Sequence, residues 1–227
     1  SRPYDPSLPA DPSPMDGIRM TQVSYSYEGR SRALQDVSLE VPRGSVVAMV
    51  GLSGCGKSTA ASLLMRFCDP DTGHIYLDGR DYLSMRPEEP RRHIAMVPQQ
   101  VNLFSGTIRD NLLLADPQAD DATMLEALRE AGLGAFVQSL PQGLDADIGN
   151  AGASLSGGQR QKMGIARALL SRAEYMIFDE ATSSVDLESE QEIWETIGRL
   201  AHTRTLVIIS HRMSTVRNAD CIYVMEK

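Results

Sequence analysis

The run Gly51-Leu52-Ser53-Gly54-Cys55-Gly56-Lys57-Ser58 has the residue types and spacing of a phosphate-binding loop. Its three glycines permit tight turns and close backbone approach, so that successive N–H groups and the start of the next helix face an anion. Lys57 supplies a mobile positive charge, and Ser58 places a hydroxyl on a magnesium ion held between outer phosphates. An accidental Gly-Lys-Ser in a turn would lack the strand before it and the helix after it that this run possesses. Far downstream, Met176-Ile177-Phe178 ends in Asp179-Glu180, placing two carboxylates at the carboxyl end of an apolar strand, where ligands of open parallel sheets collect. Asp179 suits an indirect, water-mediated magnesium contact, and Glu180 suits activation of an attacking water, a role worth roughly 10² to 10⁴ in rate. Between them, Leu155-Ser156-Gly157-Gly158-Gln159 opens a helix whose first N–H groups and serine hydroxyl face a second anion. One chain thus owns two phosphate-facing helix starts. His211 follows the apolar run Thr205 to Ser210 and should emerge at the same edge as the acids, although a lone histidine after a strand is more often structural.

The elements that must hold these groups alternate. Val46 to Val50 is a buried-type strand feeding the loop, and Lys57 to Cys68 has helical character until Asp69-Pro70-Asp71-Thr72-Gly73 stops it. Strands at Met20 to Tyr27 and Leu34 to Val41, parted by Glu28-Gly29-Arg30, join His74 to Leu77 and the Asp78-Gly79 turn in a small antiparallel layer. From about 106 to 171 the pattern is helical: Ala122 to Ala131 sets Leu125 and Leu128 on one face, and Gln159 to Leu170 aligns Met163, Ala166 and Leu170. Strands return at Tyr175 to Phe178 and Thr205 to Ile209 around a helix from Glu188 to Ala201 with Ile193, Trp194, Ile197 and Leu200 inward. His93 to Val97 and Cys221 to Met225 read as further strands. The fold class is therefore α/β: a P-loop NTPase core with a mostly parallel sheet, an antiparallel β layer and an inserted α-helical subdomain at about 106–171.

The 227 residues suffice for one sizeable core, and an apolar fraction of 42% with 23% charged residues is ordinary for a globular protein. A net charge of -8 disfavours a nucleic-acid surface, which needs Lys and Arg against phosphates, so no nucleic-acid partner is expected. No apolar run reaches the eighteen or so residues of a membrane span. Cys55, Cys68 and Cys221 are odd in number and lack C-x-x-C spacing, against disulfides or a zinc site. Cys55 stands beside a helix start and Lys57, surroundings that favour thiolate, against the alternative of a buried, inert thiol. Residues 1–17, with Pro3, Pro6, Pro9, Pro12 and Pro14, read as an extended linker, and the chain as a soluble piece cut from a longer polypeptide.

Taken in order, the loop at Gly51, the signature at Leu155 and the acids at Asp179 make residues 18–227 resemble the nucleotide-binding domain of an ATP-binding-cassette (ABC) transporter. The exporter branch is indicated by Leu103-Phe104-Ser105-Gly106-Thr107-Ile108-Arg109-Asp110-Asn111. The resemblance implies ATP and Mg²⁺ as ligands, with Gly51, Ser53, Gly54, Cys55, Gly56, Lys57, Ser58 and Thr59 on the phosphates and Tyr27 stacked on adenine. It makes Gln99 the glutamine that reaches magnesium and water, although Gln100 is adjacent and the spacing alone chooses neither. It makes His211, in the run His211-Arg212-Met213-Ser214-Thr215, the histidine that touches the γ-phosphate. Asp186, in Ser183-Ser184-Val185-Asp186, would link two ATP sites, because the family pairs two domains head to tail, each ATP lying between one P-loop and the other chain's Ser156, Gly157, Gly158 and Gln159. Implied partners are a second such domain and the transmembrane domains, at the cytoplasmic face of a membrane. Similar domains run on for another strand pair and a helix, so a C-terminal truncation is expected. Three departures stand out: Asn150-Ala151 where exporters carry Glu-Arg, Cys55 in the loop, and Pro90 in a stretch that is often helical.

Two other readings compete. A soluble ABC ATPase of DNA repair or translation is one, but repair members insert a long coiled coil, whereas Lys57 and Ser156 lie only 99 residues apart (156 minus 57). A non-hydrolysing regulatory half is the other, and intact Glu180 and His211 oppose it.

Overall fold

The computed structural model describes residues 2–29, 32–52 and 54–226. It divides into two compact units, one of residues 1–95, 174–179 and 201–227, the other of residues 96–173 and 180–200. The division passes between Asp179 and Glu180. No helix among the described residues is long and apolar enough to cross a membrane.

The first unit is built from strands that bury apolar runs. Strands β1 (Gly17–Ser26) and β2 (Arg32–Pro42) pair antiparallel, with Ile18 opposite Val41 and Met20 opposite Leu39. Beyond Met20 the register shifts, Gln22 takes a positive φ of 48°, and the buried alternation changes phase from Ile18 and Met20 to Val23. Such a bulge re-aims every later side chain. It sets Tyr25 and Tyr27 on their common side, where the rings meet edge to face at 5.1 Å. Strand β3 (Val46–Gly51) leads to helix α1 (Lys57–Leu64), and β4 (Thr72–Leu77) and β5 (Arg80–Asp81) complete the antiparallel sheet in the order β2-β1-β4-β5.

Helix α1 stops well before Cys68, where the sequence pattern extends it. Arg66 adopts φ 54°, its N–H bonds the Leu63 carbonyl, and Phe67 N–H reaches back to Ser62, a left-handed helix end with arginine in the place glycine usually takes. The cause is the buried guanidinium of Arg66, which turns inward to Asp69, Tyr82 O and Met85 O.

Pro90 begins the short helix α2 (Pro90–His93), at the one helical position where a missing N–H costs nothing, and β6 (Ile94–Val97) follows. The parallel sheet runs β6-β7-β8-β3-β9, with β7 (Tyr175–Asp179), β8 (Thr205–Ser210) and β9 (Cys221–Met225); the unit division falls within β6. β3 and β8 are buried almost throughout, as strands covered on both faces must be. Asp78 joins the two sheets of this unit, accepting from Gly17 N–H at 2.8 Å and from the Tyr175 hydroxyl at 3.0 Å. Residues 2–16 form no helix or strand, and their Asp5 and Asp11 N–H groups bond Leu83 O and Gly79 O.

The second unit is helical: α3 (Ile108–Leu113), α4 (Asp121–Glu130), α5 (Gly134–Ser139), α6 (Gly157–Leu170) and α7 (Leu187–Leu200). α4 and α7 pack on α6. On α4 the inward face is Met124, Ala127 and Leu128, while Leu125, expected beside Leu128, is exposed, because the two are three residues apart but straddle the edge of the stripe. Met163, Ala166 and Leu170 of α6 are buried as expected, and so are Ile193, Ile197 and Leu200 of α7; Trp194 is only half-buried. Asn111, fully buried, holds the Phe104 loop through Phe104 N–H, Phe104 O and Thr107 O, which accounts for that asparagine in the exporter-like stretch.

Candidate functional site

In the first unit, β3, β8 and β7 lie side by side and in register, Val50 opposite Ser210 and Ile209 opposite Asp179. Their carboxyl ends therefore bring together the start of the loop at Gly51, the carboxylate of Asp179 and the residue after Ser210, which is His211. The loop turns through a Cys55 N–H bond to Leu52 O at 3.2 Å and enters α1 at Gly56, whose φ is 95°. A side chain there is excluded twice over, by the left-handed backbone and because a Cβ would stand 2.5 Å from Ala33 O. Lys57 is buried to 5% exposure, and its ammonium donates to Gly51 O and to Leu52 O, the latter at 3.3 Å. The charge is thus laid along the loop it is meant to serve. Ser58 is exposed and Thr59 buried, with Thr59 Oγ1 and the Tyr27 hydroxyl 3.0 Å apart. That bond fixes the Tyr27 ring, 42% exposed, beside the first turn of α1. Ser53 lies outside the described residues.

Cys55 is 6% exposed with its sulfur packed toward Gly51, so burial is the observed environment of this thiol. His211 is exposed, its Nε2 3.4 Å from Arg212 Nε, and Ser210 Oγ accepts from Arg212 N–H at 3.1 Å.

In the second unit, Ser156 and Gln159 form a reciprocal cap on α6: Gln159 N–H donates to Ser156 Oγ at 3.1 Å and Ser156 N–H to Gln159 Oε1 at 3.0 Å. The serine hydroxyl keeps its proton to donate, and the N–H groups of Gly157 and Gly158 lie in the first turn, where no helical acceptor exists. Gln159 is thereby occupied in holding the helix start. Asp186 likewise caps α7, accepting from Ser189 N–H at 2.8 Å, a bond that with the Ser189 hydroxyl holds its carboxyl below the usual range. Gln99 is exposed, and its backbone carbonyl accepts from Gln161 Nε2 at 2.7 Å. Glu180 has φ 49°, a left-handed conformation that costs a non-glycine residue roughly 1 to 2 kcal/mol. It is held there by a turn in which Ser183 N–H and Oγ both donate to its carbonyl, at 3.1 and 3.0 Å. Strain of this kind, over-determined by its surroundings, collects at functional residues. Nothing in the sequence signals it, and Gln161 also escaped notice, because a polar residue on a helix otherwise read for its apolar stripe looks solvated.

Residues 34–183 match the ABC transporter family. The chain belongs to that family. In overall fold this ABC domain superposes on a bacterial Atm1-family ABC exporter with ATP bound, at a TM-score of 0.86 and 38% identity over 98% of this chain and 39% of that one. It is 44% identical over 212 residues to an ATP-dependent lipid A-core flippase of Vibrio cholerae, covering 92% of this chain and 36% of the flippase. It is 41% identical over 212 residues to ABC transporter B family member 1 of Arabidopsis thaliana, of which it spans 16%. The chain thus spans about a third or less of the curated relatives it matches. It is an ABC domain similar to that of an exporter, and the α/β fold with a parallel sheet and a separate antiparallel sheet is the one its motifs imply.

Proposed function

We propose that this chain is the ATP-hydrolysing motor of an exporter, binding Mg-ATP at composite sites of a head-to-tail dimer and driving alternating access of membrane domains at the cytoplasmic face of a membrane. The observation that carries the reading is the meeting of the phosphate loop, Asp179 and His211 at one edge of the parallel sheet, with the buried ammonium of Lys57 lying on that loop. The first-turn N–H groups of α1 and Lys57 hold the outer phosphates, and Tyr27 takes the adenine. Glu180 accepts the proton of the attacking water, and His211 touches the γ-phosphate and orients that water. Among the described residues no three His, Cys, Asp or Glu side chains cluster as a metal cage. That suits Mg²⁺, which keeps its waters and takes ligands mainly from phosphate oxygens plus one or two protein groups. Ser58 and Asp179, with Gln99, would hold it, and when bound it neutralises charge on the transferring phosphoryl group. The substrate moved is selected by membrane segments, and the names of the relatives do not transfer it.

The decisive experiment tests the trans arrangement. One chain carries Lys57→Ala; another carries Ser156→Arg, which puts bulk where the opposing phosphate would sit. Each homodimer has both sites damaged and is expected to be nearly inactive. Mixed, one site collects both lesions while the other joins an intact loop to an intact signature, so ATPase activity returns. Assayed at high protein concentration or with tethered chains, alongside an intact control that dimerises, a mixture with no recovery would sink the composite-site reading.

A further inference from the structure

Gly157, Gln161 and Gly164 follow one another at spacings of four and three along α6, and therefore share a face. Gly157 meets one loop of the second unit, and Gln161 and Gly164 meet another. Gly157 lies against Ser184 and Val185, a Cβ on it standing 3.7 Å from both Ser184 O and Val185 Cγ1. Gln161, only 3% exposed, donates from Nε2 to Gln99 O at 2.7 Å and to Pro98 O at 3.3 Å. Gly164 admits Val101 so closely that a Cβ would stand 2.6 Å from Val101 Cγ2. The loop 98–101 is thus clasped at two points by the helix that starts at the signature. These segments also line one cavity of about 430 Å³, whose wall includes Gln99, Val101, Gly157, Gln161 and Ser184.

The amide of Gln161 is oriented by its donors alone. Its Oε1 is buried without a hydrogen-bond partner, and a flipped amide would press that oxygen against two carbonyls. A buried, unanswered acceptor is costly, so packing alone would favour an apolar side chain of the same size here. We infer that Gln161 is a positioning residue for the hydrolytic site: its amide fixes the backbone from which Gln99 reaches Mg-ATP, and ties that backbone to the helix whose first turn carries Gly157 and Gly158. The inference rests on the assignment of Gln99 as a ligand of the bound metal and water.

The test uses Gln161→Met, which keeps the volume and removes both donors, beside Gln99→Ala, in the purified 227-residue chain. Metal affinity is read by electron paramagnetic resonance of Mn²⁺ in the presence of a non-hydrolysable ATP analogue, and kcat and KM for ATP separately. Gln161→Met is expected to weaken Mn²⁺ binding and lower kcat by about tenfold each, the equivalent of one hydrogen bond at about 1.4 kcal/mol, with KM for ATP within about twofold. Adding it to Gln99→Ala should produce no further loss, because both act through one side chain. Wild-type Mn²⁺ affinity in folded Gln161→Met, or a loss that multiplies upon that of Gln99→Ala, overturns the positioning role while leaving Gln99 in place. An unaffected Gln99→Ala would remove the assignment beneath it, and the inference with it. Should Gln161→Met not fold, Gly164→Ala displaces the same loop, and Val101→Ala in that background is expected to restore Mn²⁺ affinity to within about twofold by clearing the contact; failure of that rescue also overturns the clasp.

Discussion

The two anion-facing helix starts of this chain are built on opposite plans. Helix α1 opens at Gly56, whose backbone is left-handed and which has no side chain to cap it; no acidic residue sits in its first turn. Helix α6 opens at Ser156 within a complete reciprocal cap. An uncapped start leaves its donors to whatever anion arrives, and with the Lys57 ammonium beside it that start suits the phosphate-holding role proposed for it. The capped start has Gln159 N–H and Ser156 N–H already answered and keeps fewer donors for an anion, those of Gly157 and Gly158. The contrast fits the proposed division of labour, in which one end holds the nucleotide through each turnover and the other joins and leaves it.

The largest effects should appear where the contrast is sharpest. Lys57→Ala removes the buried cation from the uncapped end, and turnover is expected to fall by more than about 10³-fold, with ATP affinity reduced as well. Glu180→Gln keeps both helix starts and should bind ATP while losing roughly 10² to 10⁴ in rate, so that sedimentation at saturating Mg-ATP finds a trapped dimer. Only monomers there would break the division of labour, because a capped end that never joins an anion has no part in a cycle.

Next come the starts themselves. Gly56→Ala must force a left-handed backbone and a Cβ 2.5 Å from Ala33 O, and should cost about 2 to 3 kcal/mol, a drop of roughly 4 to 12 °C in melting temperature for a chain of this length. Ser156→Ala loses one cap, about 1 kcal/mol or roughly 2 to 4 °C, while leaving ATP affinity of the single chain unchanged. Calorimetry with and without nucleotide measures both. Equal losses in the two variants would erase the distinction drawn between the helix starts.

Strands of the first unit were legible in the sequence because burial on both faces writes itself as an unbroken apolar run, as in Val46 to Val50 and Thr205 to Ile209. The same runs place Asp179 and His211 at one edge without further information, since parallel strands in register share their carboxyl ends. What escaped was set by single side chains acting at a distance. The end of α1 is decided by where Arg66 finds its carbonyls, sixteen and nineteen residues on, and no local pattern encodes that. The exposure of Leu125 depends on which edge of α4 meets α6, and the left-handed turn at Glu180 on the two bonds from Ser183. Motif spacing named the candidate residues, whereas the bonds from Gln161 to the backbone at Gln99 required the fold.

The smallest effect concerns acid. Three helix starts of the second unit are held by carboxylates: Asp110 bonds Thr107 N–H in the box that opens α3, Asp120 bonds Thr123 to open α4, and Asp186 bonds Ser189 to open α7. Those bonds hold all three carboxyls below the ordinary range, with the Thr107 backbone, the Thr123 hydroxyl and the Ser189 backbone as the leading causes. A carboxyl depressed in the folded state stabilises it fully above the unfolded pKa near 3.9, and the gain is lost as pH falls through the lower folded value. The second unit should therefore lose part of its stability below about pH 4, whereas the start of α1, with no carboxylate in its first turn, has nothing there to titrate. Asp120→Asn separates charge from capping, because asparagine caps as well as aspartate but does not titrate in this range. The variant is expected to melt close to wild type at pH 7 and to show a shallower fall in melting temperature between pH 5 and pH 3. An acid limb of unchanged slope in Asp120→Asn, Asp110→Asn and Asp186→Asn combined would show that these starts are held by geometry alone, and the contrast between the units would then rest on Gly56 and Lys57 without any help from charge at the caps.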